Sequence, residues 1–159
     1  MSDWHGFRTE VLWTREVNLL LDANLEALRE LYQLRACPKM GKLTFESAVE
    51  LFTSETSLKM SHPDAISCYA LSLMTCADLH MYSFLRQYHM DFVEFLEMIG
   101  RVAEVHFYES DYESQPLEEK IKIVLDEILK LIDYNVEEPE LYEIASDDSE
   151  ELENKMPGF

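Results

Sequence analysis

The sequence predicts an all-α domain of about five helices that ends in a flexible acidic C-terminal tail. Three observations lead there. Apolar residues recur at three- and four-residue steps through five segments. The chain has only 4 Gly and 5 Pro in 159 residues, too few for an all-β protein rich in tight turns. After Tyr134 the periodicity dissolves into "NVEEPELYEIASDDSEELENKMPGF", a stretch dominated by acids.

The first helix is expected over Thr14 to Leu34. Val17, Leu20, Leu21, Leu25, Leu28 and Tyr32 make one apolar stripe, with acids and Arg29 opposite. "ACPKMGK" breaks it, because Pro38 and Gly41 are poor helix residues. "LTFESAVELFTSE" restarts a short helix, with Thr44 placed to cap its N-terminus. A third helix lies in "KMSHPDAISCYALSLMTCADLHMYSFL", capped by Ser61, with Pro63 in its first turn. Its expected apolar face is Ile66, Tyr69, Ala70, Leu73, Met74 and Ala77.

A fourth helix begins at Asp91, which has Glu94 three residues on, a variant of the capping box. Phe92, Phe95, Leu96, Ile99, Val102 and Ala103 are its expected buried set. The acidic connector "YESDYESQ" leads to Pro116, which opens a fifth helix with Leu117, Ile121, Val124, Leu125, Ile128 and Leu131 on one face. The expected division is an N-terminal aromatic segment over 1–13, a helical domain over 14–134 and a tail over 135–159. Trp4, Phe7, Val11 and Trp13 either fold back on the core or anchor a neighbour; the sequence leaves both open.

The chain is 47% apolar and carries a formal net charge of −19. That field disfavours nucleic acid and anionic membranes and favours basic proteins or peptides. No apolar run is long enough to span a bilayer, so no membrane insertion is expected. "MSDWHGFRTEV" has no apolar run of the signal-peptide type. Cys37, Cys68 and Cys76 are an odd number and cannot form a closed disulfide set. The expectation is a reduced, cytoplasmic chain.

"MDFVEFLEMI" matches the end of a calcium-binding helix–loop–helix and its exit helix. In that register loop position 1 is Ser83 and position 12 is Glu94. A working loop needs oxygen ligands at positions 1, 3 and 5, glycine at 6 and a bidentate Glu at 12. Here Leu85 at position 3 offers no oxygen, and Tyr88 stands where glycine makes the turn. Only the vestigial positions Ser83, Gln87 and Glu94 could coordinate. Upstream, "ACPKMGKLTFES" repeats the grammar, with Gly41 at position 6 and Leu43 at position 8. It places Ala36, Cys37 and Pro38 where ligands begin and Ser47 at position 12. Leu43 should pair with Met90, its counterpart in the second loop.

With helices flanking both loops, Thr14 to Phe107 resembles a degenerate, ligand-poor EF-hand pair. The phrases "NLEALRELY", "LTFESAVELF" and "DFVEFLEMIGRVAEVHF" are similar in texture to the EF-hand-like helical modules of ciliary and flagellar axonemal proteins. The resemblance implies a non-catalytic scaffold that binds protein without obligatory calcium or other cofactor, in a cytoskeletal or axonemal assembly. Its implied partner is a basic amphipathic helix, whose candidate contacts are Met74, Met81, Tyr88 and Met98, since Met-lined surfaces accommodate varied helices. The alternatives are a calmodulin-like calcium sensor and a regulatory subunit of an enzyme or motor.

Two rival chemistries find less in the chain. Cys76 and His80 are four apart, with Cys68 two turns back and His89 or His106 to complete a set, yet no CxxC begins a zinc site. No nucleophile elbow, P-loop, Gly-rich dinucleotide turn or HExxH marks an enzyme.

Overall fold

The structure, a computed structural model, describes residues 6–73 and 89–140. Six α-helices are described: α1 (Arg15–Ala23), α2 (Leu25–Arg35), α3 (Phe45–Thr53), α4 (His62–Ser72), α5 (Phe92–His106) and α6 (Leu117–Leu129). A π-helical turn, Phe7–Leu12, precedes them, and a short 3-10 turn, Lys130–Ile132, follows α6. The two strands are minimal: β1 (Leu43–Thr44) and β2 (His89–Met90), paired antiparallel with Leu43 opposite Met90. This is an all-α-dominated fold. No described helix is long and apolar enough to cross a membrane.

Helix α5 is the central element. It packs on α4 along one side and α6 along another, while α1 covers α6 and α3 covers α4. Phe95, Met98, Ile99, Val102 and Ala103 of α5 are all fully buried. Ile121, Val124, Leu125 and Ile128 of α6 are buried to the same degree. These rows recur at i, i+3, i+4 and i+7, so one apolar stripe on each helix closes on the other.

The expected capping chemistry is present at three helix starts. The Thr44 hydroxyl accepts the Ser47 N–H at 3.2 Å, and the Ser61 hydroxyl accepts the Asp64 N–H at 3.3 Å. At α5, Glu94 accepts the Asp91 N–H at 2.8 Å, completing a capping box.

Other elements depart from the sequence-based expectation. The helix expected over Thr14 to Leu34 is two helices, divided at Asn24. The Asn24 side-chain amide donates to the Leu20 carbonyl at 2.9 Å, a local bond that competes with helix continuation. In α4 the buried row is Ala65, Cys68, Tyr69 and Ser72. The apolar face is therefore rotated from the expected one, and Ile66 is exposed. Three of the four buried residues are small, which allows α4 and α5 to approach closely. Leu131 is exposed, whereas Leu129 is buried, because the chain leaves the α-helix at Lys130. The continuation of the third helix beyond Leu73 lies outside the described residues.

Of the N-terminal segment, whose placement the sequence left open, residues 6–13 pack on the core, while Val11 is exposed and Trp4 lies outside the described residues. Phe7 and Leu12 are buried, and Trp13 lies partly buried against the same cluster. At the other end, residues 135–140 form neither helix nor strand. Val136 packs on the core and Asn24 bonds both backbone groups of Glu137, so attached chain continues past the expected boundary at 135. The rest of the expected tail, 141–159, lies outside the described residues.

Candidate functional site: the paired loops

The first loop is shaped by its own backbone. Gly41 sits at φ +64°, a left-handed conformation that glycine adopts without steric cost. Its N–H bonds the Cys37 carbonyl at 2.8 Å, and the Cys37 N–H bonds the Lys42 carbonyl at 2.8 Å. The turn thus closes through main-chain groups, with Ala36, Cys37 and Pro38 offering no oxygen-bearing side chains. Leu43, fully buried, then crosses to fully buried Met90.

Tyr32 ties the pair from behind. Its hydroxyl donates to the Met90 carbonyl at 2.8 Å. Its ring lies 5.5 Å edge-on from Phe92 and 5.8 Å from Phe95. Burial pushes the phenol above its ordinary range, which keeps the hydroxyl protonated and able to donate. Across the loops the Lys42 ammonium meets the Asp91 carboxylate at 3.1 Å. Both groups are well exposed, so this pair contributes little to stability.

Glu94, the expected last ligand position, is buried, and its carboxylate serves the capping box of α5. Ser83 and Gln87, the other vestigial positions, lie outside the described residues, as do Leu85 and Tyr88. Among the described residues no group of three His, Cys, Asp or Glu side chains converges to hold a metal ion. Cys68 is buried, and desolvation pushes its thiol to about 12, with Asp64 adding to the shift. At neutral pH it is a small hydrophobe. Cys76 and His80 lie outside the described residues.

The partner-contact candidates separate in the same way. Met74, Met81 and Tyr88 lie outside the described residues. Met98 is fully buried on α5, so it fills the core instead of lining an open surface. The reason is that α5 is packed between α4 and α6, so the chain's own side chains cover its interior row. An open concavity among the described residues involves α1, α2 and the N-terminal segment. It is a groove of about 620 Å³ walled by Trp13, Leu19, Asp22, Leu25 and Leu96.

Sequence reasoning missed a buried charge cluster beside the N-terminal segment. Arg8 makes a two-point contact with Glu97, at 2.5 Å from Nε and 2.9 Å from Nη2. Arg101 Nε reaches the same carboxylate at 3.3 Å, one turn along α5. Arg101 is fully buried, and its guanidinium lies 4.9 Å from the centre of the Phe7 ring. Burial lowers the Arg101 pKa, while the hydrogen bond to Glu97 raises that of Arg8. The available signal was Glu97 and Arg101 at i, i+4 among the apolar residues of "FVEFLEMIGRVA".

No family model, curated protein or solved structure matches the chain.

Proposed function

We propose that this chain is a non-catalytic protein-interaction module whose loop pair has a geometry set by packing and hydrogen bonding, without obligatory calcium. The supporting observation is the junction of Leu43, Met90 and Tyr32. It joins the two loops through a buried apolar pair and a 2.8 Å hydrogen bond to the Met90 backbone. In a calcium sensor the ion controls how far the helix pair opens. Here protein groups already hold that junction, and the Glu94 carboxylate serves a helix cap.

The partner class that fits is a basic amphipathic helix. Its apolar anchors match the groove of Trp13, Leu19, Leu25 and Leu96, and its cations match a chain of net charge −19. The resemblance to axonemal helical modules points to a cytoskeletal or ciliary assembly as the setting.

The decisive experiment compares metal and peptide binding on the full chain. Calorimetric titration with calcium should give no site tighter than about millimolar, the weak end of the EF-hand range. A basic amphipathic peptide should bind equally with calcium and with chelator, and Leu25→Glu should weaken it. A micromolar calcium site, or peptide binding that requires calcium, would return the chain to the sensor class. Cross-linking in isolated axonemes tests the setting, and finding no axonemal neighbour counts against it.

A further inference from the structure

Asn24 holds a segment of this chain in the way a receptor holds a bound peptide. The residue is fully buried between α1 and α2. Its Nδ2 donates to the Glu137 carbonyl at 2.9 Å, and its Oδ1 accepts the Glu137 N–H at 2.8 Å. One carboxamide therefore engages both main-chain groups of one residue, which reads extended backbone whatever side chain it carries. On either side, Val136 packs on the core and Glu138 ion-pairs with Lys122.

The side chains of this strap are shallowly seated. Glu137 and Glu138 are exposed, and Tyr134 and Val136 are only partly buried. The Lys122–Glu138 pair lies at the surface, where such pairs add little. Glu138 and Pro139 border an open cleft of about 330 Å³, shared with Arg15, Leu19, Glu118 and Lys122. The strap thus leaves space beside it, and Asn24 grips both main-chain groups of one of its residues. When the strap departs, the buried carboxamide keeps its bond to the Leu20 carbonyl but loses both contacts to Glu137, which favours another backbone in that place.

We propose that the face built by α1, α6 and Asn24 is a binding site for an extended peptide, and that residues 134–140 are its resident intramolecular ligand. The external ligand it would take is an extended Val-Glu-Glu-Pro-type segment, paired by backbone to Asn24 and by one glutamate to Lys122. Tethering gives the resident strap a high effective concentration, so an external peptide competes only when the strap is weakened.

The test uses the full chain and a labelled peptide of residues 134–140, followed by fluorescence anisotropy. Glu137→Pro removes the N–H that Asn24 accepts. That variant should bind the peptide at least ~10-fold more tightly than wild type, because its site is vacated. Adding Asn24→Asp, which replaces the donor with an oxygen facing two carbonyls, should abolish the gain. Equal binding by wild type and Glu137→Pro, or no binding to either, overturns the proposal. Amide exchange supplies a check that needs no variant: the Glu137 N–H should exchange at least ~10-fold more slowly than an unstructured amide. Exchange at the unstructured rate would overturn it equally.

Discussion

Leu12 fills the notch left by the missing side chain at Gly100. A Cβ built at residue 100 would collide with the Leu12 Cδ1, and Leu12 itself is fully buried. The N-terminal segment is therefore keyed into α5 by shape, beside the Arg8–Glu97 contact that keys it by charge.

Gly100→Ala should accordingly destabilise the fold, although alanine is the better helix former by about 1 kcal/mol. Overpacking a filled core site costs about 1–3 kcal/mol, so the net loss should lie at about 0–2 kcal/mol. Chemical denaturation of Gly100→Ala, Leu12→Ala and the double variant supplies the measurement. The double variant should be more stable than the two single losses add up to, because removing Leu12 makes room for the new methyl. Strict additivity would mean that the two residues do not touch.

Glu97→Ala should be more damaging than Arg8→Ala. The first leaves the fully buried Arg101 without its carboxylate, a loss of about 3–5 kcal/mol for a broken buried pair. The second removes a partner whose side chain retains 19% exposure, and Glu97 keeps Arg101. Thermal or urea unfolding of the two variants decides, and the reverse order would show that Arg8 is the essential cation.

Phe95→Ala should cost about 3–5 kcal/mol, as for an aromatic truncated in a packed interior. Glu94→Gln retains an oxygen to accept the Asp91 N–H and should cost about 1 kcal/mol, in the range of a helix cap. Equilibrium unfolding of the two gives the comparison. Glu94→Gln proving the worse would assign its carboxylate more than capping.

Stability should fall as pH drops below 6.5, with His106 contributing to the slope. Desolvation holds its imidazole below the ordinary value of 6.5. The unfolded chain therefore binds the proton more readily than the folded one. The contribution is present above 6.5 and is lost as pH falls toward the lower folded value. His106→Gln cannot titrate, so its melting temperature should decline less than that of wild type over this window. Parallel declines would remove His106 from the account.

The sequence by itself determined the helical class, the caps at Thr44, Ser61 and Asp91, and the partnership of Leu43 with Met90. Those features depend on residues a few positions apart, or on a turn grammar such as Gly41 at φ +64°. Local hydrogen bonds and helical periodicity carry the class and the caps without reference to the rest of the chain, whereas the Leu43–Met90 pairing follows from matching positions in two loops. The division of the first helix at Asn24 was not legible, since its side chain also bonds a residue 113 positions away. Only tertiary packing decided that Met98 is interior, that Leu12 lies against Gly100, and that Arg8 meets Glu97 across 89 residues. Periodicity shows that a helix has an apolar face; which chain segment covers that face depends on how distant surfaces fit together.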